Sequence, residues 1–217
     1  MKVTNRSVES ISWQDYRGFS TGLVVFYNSD PVSEMPIREV PEEINSPVAP
    51  EPNYETATYG MYGCVRSKVR QMFCKSKSRY VFFMTKYAGT NEEYRDRIVV
   101  TGYYRIAWIA DGKKFHVRYL KEYECLDYTS CMALRADEAH FVALDDAFLV
   151  DDEVQQEWGY TSRITRQTRI ALEEDAAIKL VTWLGSRPNA LDDYIEETTR
   201  LQPHDPDDES PEIDEEK

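Results

Sequence analysis

Two runs in the middle of the chain, SRYVFFMTKY (residues 78–87) and DRIVVTGYYRIAWIA (residues 96–110), constrain the fold more than any other feature. Both are rich in β-branched and aromatic residues, which suit a pleated surface and lose side-chain freedom in a helix. The polar stretch GTNEEYRD joins them, and DGKKFHVRYL then supplies an Asp-Gly turn and a further alternating run, the pattern of a hairpin. STGLVVFYNSD (20–30) reads as another buried strand, bounded by Gly22 and the turn-forming NSDP. HFVALDDAFLV (140–150) reads as a further strand pair.

Helical spacing appears on either side. In YGMYGCVRSKVRQMFC, Val65, Val69, Met72 and Phe73 share one face, which predicts a short basic helix before the strands. Further on, SRITRQTRIALEEDAAIKLVTWLG predicts one helix from an N-cap at Thr161 or Ser162 to Gly185, with Pro188 just beyond. Ile164, Ala171, Leu172, Ala176, Leu180 and Leu184 form its core-facing stripe, and NALDDYIEETTRL follows as a second short helix. Residues 31–53 carry six prolines among Glu and Ser and are expected to be an extended loop, since proline removes backbone donors and fixes φ. Residues 202–217 are acidic and nearly free of apolar side chains, which predicts a disordered tail. The expected fold class is α+β: residues 1–201 form one domain, a small curved β-sheet or barrel flanked by helices, followed by that tail.

Net charge is -13, but its distribution says more. Residues 1–60 carry 4 basic and 9 acidic side chains, residues 61–121 carry 14 and 4, and residues 122–217 carry 8 and 26. Such segregation predicts a polyanion-facing middle and a self-covering or repelling end; surface pairing between the two is the alternative. Four irregularly spaced cysteines do not form a disulfide framework, which favours a reducing, cytoplasmic compartment. No apolar run approaches the roughly 20 residues that span a bilayer, so no membrane partner is expected.

The positive charge is concentrated in GCVRSKVRQMFCKSKSRYVFFMTKY (63–87), which holds seven Lys/Arg, five aromatics and no carboxylate. Lys and Arg neutralise phosphates, and aromatic faces stack on unpaired bases. Arg66, Lys68, Arg70, Lys75, Lys77 and Arg79 are therefore the candidate nucleic-acid contacts, with Tyr103 and Trp108 as candidate stacking residues. The expected partner is a nucleic acid or nucleotide, single-stranded or with a flipped base. The alternative for each aromatic is a place in the β core.

YGCVRSKVRQMF, SRYVFFMTKY and RIVVTGYYRI together resemble the PUA-like superfamily, especially its EVE and ASCH branches. Gly63 and Arg66, the run Tyr80 to Met84, and Val99 to Ile106 with Gly102 take the places of that family's short motifs. The resemblance covers about 45 of 217 residues, and Ser78-Arg79 stands where the family usually has Gly-Asp. It implies a small β-barrel whose aromatic and polar pocket reads a nucleobase, often a modified one.

Catalytic and metal patterns are weaker. His116, Cys125 and Cys131 have spacings reminiscent of a CCCH zinc finger, but position 135 is arginine and no CxxC pair exists, so free thiols and no metal or other cofactor are expected. Asp145, Asp146, Asp151, Asp152 and Glu153 form an acidic cluster able to hold Mg²⁺, or to be a solvated turn. Ser and Cys nucleophile motifs and a phosphate-cradling Gly-rich loop are absent. The reading is a non-catalytic nucleic-acid or modified-nucleotide binding module. The alternatives are an adaptor docking an acidic protein partner, or a metal-dependent enzyme acting on nucleotides.

Overall fold

The structure is a computed structural model and describes residues 12–27, 52, 54, 57–60, 67–111 and 132–191, without the side chains of 67–71. These residues form eight strands: β1 (Gln14–Asp15), β2 (Phe19–Phe26), β3 (Thr58–Tyr59), β4 (Ser78–Lys86), β5 (Ile98–Asp111), β6 (Met132–Phe141), β7 (Phe148–Leu149) and β8 (Arg169–Leu172). Three α-helices accompany them: α1 (Ser67–Ser76), α2 (Asp152–Glu157) and α3 (Glu174–Gly185). The strands make one sheet in the order β3-β6-β5-β4-β2-β8, with β1 and β7 also paired to β5. Only β2 and β4 run parallel, and α1 precedes β4 in the connection between them. A parallel pair needs such a crossover, because no tight turn can return the chain to the same edge.

The two apolar runs at 78–87 and 96–110 become the adjacent central strands β4 and β5. Their side chains alternate between two separate cores. Leu23, Val25, Val81, Phe83, Tyr104 and Ile106 fill the face that receives Phe73 of α1. Val24, Phe82, Met84, Val100 and Tyr103 fill the other, against Ala177, Leu180 and Leu184 of α3. Strands buried on both faces read as near-continuous hydrophobic runs, which is how these two read in the sequence.

That double burial corrects the expected barrel. The α+β class and the flanking helices are as expected, but the sheet is open and mixed, and it neither curls nor closes: its outer strands, β3 and β8, do not pair. A small barrel packs one face of its sheet inward, whereas here each face has its own helix-covered core.

The helix expected from residue 161 to Gly185 is also corrected. Residues 160–168 are a loop, Arg169–Leu172 are edge strand β8 on β2, and only Glu174–Gly185 are helical. Ile170 and Leu172 are buried while Ala171 is exposed, the period-2 pattern of a strand. Leu172, Ala176, Leu180 and Leu184 fall four apart, which fused strand and helix into one apparent stripe.

The hairpin continuing past Asp111, with His116, Cys125 and Cys131, lies outside the described residues, as do the second helix beyond Leu191 and the acidic tail. Of the proline-rich stretch only Pro52 is described, and it is buried. Among the described residues, no helix is long and apolar enough to cross a membrane.

Candidate nucleic-acid interface

The join between α1 and β4 is a single residue, Lys77. Its φ of 48° is in the left-handed region, where a helix end usually places glycine. Several bonds hold the chain there. Ser76 Oγ bonds the Met72 carbonyl at 2.9 Å and Ser78 Oγ at 2.5 Å, and Thr21 Oγ1 donates to the Ser76 carbonyl at 3.2 Å. The Phe19 N–H donates to the Lys77 carbonyl at 2.7 Å. Gly18 makes that approach possible, since a Cβ there would stand 2.6 Å from the same carbonyl oxygen.

The outcome is an aromatic ring displayed beside a cation. Phe19 is 62 % exposed, and the Lys77 ammonium sits 5.7 Å from its ring centroid. Arg17, Lys75 and Arg79, each two residues along the chain from Phe19 or Lys77, are exposed as well. None of these four cations is in an ion pair among the described residues.

Strand register extends this end of the sheet sideways. Ser78 is level with Phe19, and β5 runs antiparallel past the start of β4, so Trp108 lies just beyond it. Arg135 on β6 pairs with Trp108 and holds its guanidinium 5.5 Å from the indole centroid. Asp15 pairs with Trp108 from β1, and Glu173, which follows Leu172 at the end of β8, is a second carboxylate near the start of β2. Neighbouring strands are about 4.8 Å apart, so Phe19 on β2 and Trp108 on β5 are separated by about 10 Å across the sheet.

Of the residues expected to bind, Lys75, Lys77, Arg79 and Trp108 are thus brought to one end of the sheet. Lys68 and Arg70 lie on α1, and Arg66 is outside the described residues. Tyr103 is elsewhere: it is 2 % exposed in the core under α3, with its hydroxyl donating to Glu138 Oε1 at 2.5 Å. Burial first, then the bond to Glu138, pushes its phenol well above the ordinary tyrosine range. The His140 ring lies nearly parallel to Tyr103, 12° between planes, and its buried Nε2 has no hydrogen-bond partner among the described residues. Arg105 closes the cluster, 2.8 Å from Asp137 and 2.5 Å from Glu138.

The acidic cluster is dispersed by other duties. Asp145 accepts from the Tyr87 and Thr90 hydroxyls, and the Tyr87 bond, first, holds its carboxyl below the usual range. Asp151 accepts the Val154 N–H at 2.9 Å and caps α2. Among the described residues no three His, Cys, Asp or Glu side chains come together as metal ligands.

A cleft of about 870 Å³ lies at the opposite end of β4, where Thr85 and Lys86 meet residues 161–166. It is separated from Lys77 by the length of the strand, about 25–30 Å. The basic–aromatic end and the cavity are therefore two places, not one.

Sequence reasoning missed Arg17, Phe19 and Arg135. The one available signal was Gly18, a glycine just before a strand, which marks a close backbone approach. No family model matches the chain, and no curated protein or solved structure matches it either. The site defines a class by its chemistry alone: an α+β protein presenting cations and aromatic rings at one end of an open sheet.

Proposed function

We propose that this protein binds single-stranded nucleic acid at the end of the sheet where β2 and β4 begin. The observation that carries the reading is exposed Phe19 beside Lys77, with Arg17, Lys75 and Arg79 close by in the chain, exposed and in no ion pair among the described residues. Cations that track a phosphate backbone, with aromatic faces for unstacked bases between them, are the two ingredients of sequence-tolerant single-strand binding. Trp108 supplies a second ring, and Arg135 a further cation. Lys68 and Arg70 extend the positive segment along α1, within about 14 Å of Lys77 by helix rise.

Phe19 is exposed, so its removal leaves stability within about 0.5 kcal/mol. Phe19→Ala weakens binding to a fluorescent oligo-dT or oligo-U by about 1–3 kcal/mol, the worth of one stacked base. Binding falls with salt, with a log–log slope of about -0.7 per neutralised phosphate, so Lys75→Ala and Arg79→Ala each reduce the slope by about 0.7. Anisotropy titrations between 50 and 300 mM salt, roughly, measure both. No binding at low salt, or a folded Phe19→Ala protein of unchanged affinity, overturns the proposal. An acidic peptide that binds where oligonucleotides do not would assign this end to a protein partner instead.

A further inference from the structure

The cleft at the other end of the sheet has a different chemistry. Its lining includes the apolar side chains Phe26, Ile98, Val150 and Ile164. Among the charged residues of the lining are Lys86, Arg97, Arg163 and Arg166 together with Asp96, Asp151 and Asp152. Asp96 pairs with Lys86 at 2.5 Å, while Asp151 accepts the Val154 N–H as the cap of α2 and keeps its charge. Asp151 and Asp152 are thus two charged carboxylates in the lining, against the three arginines Arg97, Arg163 and Arg166. Arg97, Arg163 and Arg166 are all exposed, and none of them is in an ion pair among the described residues. Three guanidinium groups at one opening, without carboxylate partners, call for an anion with several oxygens, because each planar fork matches a phosphate bidentately.

Two of the three arginines stand on a braced loop. Buried Thr168 accepts the Thr165 N–H on its hydroxyl at 2.8 Å and bonds the Tyr160 hydroxyl at 3.2 Å. Its own N–H donates to the Thr165 carbonyl at 2.9 Å, and the Tyr160 N–H donates to the Gln155 carbonyl at 2.8 Å. Ile164, between Arg163 and Arg166, packs into the core below. The loop backbone is thereby fixed while its two charged side chains remain available, which lowers the ordering cost of binding.

We infer that this cleft binds a small phosphorylated ligand with a flat apolar body, of the class of a nucleoside di- or triphosphate, with Arg97, Arg163 and Arg166 on the phosphates. Open, mostly parallel sheets bind ligands outside the carboxyl ends of their strands; this mixed sheet shares one parallel pair with them, and the cleft lies at the carboxyl ends of that pair. β2 and β4 are that parallel pair, and Phe26 and Thr85–Lys86 are their carboxyl ends. The volume is in the range of about 300–1,000 Å³ that small-molecule sites occupy. The apolar and cationic side chains of the lining divide the ligand between them: base and sugar on the first, phosphates on the second.

The test is calorimetry on the full chain with ATP, GTP, CTP, UTP and sodium tripolyphosphate, each with and without Mg²⁺. At least one nucleotide binds, and more tightly than tripolyphosphate, because only the nucleotide uses the apolar side chains. The double variant Arg163→Ala, Arg166→Ala keeps its fold, as both side chains are exposed, and loses affinity by about tenfold or more. Phe19→Ala leaves nucleotide binding unchanged, so failure here is distinguishable from failure of the nucleic-acid reading. If none of the four nucleotides binds, if tripolyphosphate binds as tightly as every one of them, or if the double variant binds equally well, the assignment is wrong.

Discussion

At the scale of the residue, Lys77 is one of three non-glycine residues at positive φ among those described, with Ala57 and Asp96. A lysine at φ 48° gives up stability that glycine would keep, of about 1 kcal/mol. The contact of its ammonium with the exposed Phe19 ring offsets part of that cost, and the same ammonium suits a polyanion. Lys77→Gly is therefore expected to raise stability by about 0.5–1 kcal/mol in urea unfolding while weakening oligonucleotide binding. A loss of stability, or unchanged affinity, would separate Lys77 from the interface. Tyr16 makes a second residue-scale case. Burial, and secondarily the nearby Cys74 thiol, pushes its phenol up to about 12, and its hydroxyl donates to the Ser78 carbonyl at 3.1 Å. The folded value lies above the unfolded value of about 10, so the contribution is complete below pH 10 and is lost as pH climbs through 12. Tyr16→Phe should therefore lose less stability between about pH 9 and 11.5 than the parent protein. Equal losses would show that Tyr16 ionises freely.

At the scale of the element, two glycines separate packing from propensity. A Cβ on Gly102 would stand 2.4 Å from the His140 carbonyl oxygen and 2.5 Å from the Phe141 ring, so β5 and β6 can adopt their register only with a bare backbone there. Gly185, at the end of α3, has no atom near the place of a Cβ and no positive φ. Gly102→Ala should cost about 1–3 kcal/mol or more through overpacking. Gly185→Ala should be neutral or stabilising, by up to about 1 kcal/mol, through the unfolded chain. Denaturation midpoints of the two variants check both signs. Asn189 supports the same strand from outside: it accepts the Phe141 N–H at 3.0 Å and donates to the Ala139 carbonyl at 3.3 Å. An amide side chain here completes pairing that no strand among the described residues supplies.

At the scale of the molecule, one sheet with a core on each face makes β4 and β5 the most enclosed elements. Val81 to Met84 and Val99 to Tyr104 are buried on both sides. Their amides should exchange with solvent most slowly, near the rate of global unfolding, and protection should decline toward edge strands β3 and β8. Amides of β8 that outlast those of β4 would contradict this order. The same sheet places two groups of charged side chains at its opposite ends, with the length of β4 between them.

What the sequence determined by itself was the part written in local chemistry. β4 and β5 were legible because burial on both faces leaves few polar interruptions, and α1 because Met72 and Phe73 continue a helical spacing. The basic character of residues 66–79 was legible because charge needs no fold to be counted. Tertiary structure decided everything that depends on which strand lies beside which. The parallel pairing of β2 with β4 joins Phe19 to Ser78 across 59 positions, and no local pattern encodes that neighbour. Hence Phe19, which reads as one more core aromatic at the start of a strand, is displayed beside Lys77, while Tyr103, proposed for the surface, is sealed under α3. β8 was hidden because four residues carry too little periodicity to stand apart from the helix that follows. Openness of the sheet was likewise invisible: the same alternating side chains serve a barrel or a two-sided layer, and only the helices packed on both faces chose between them.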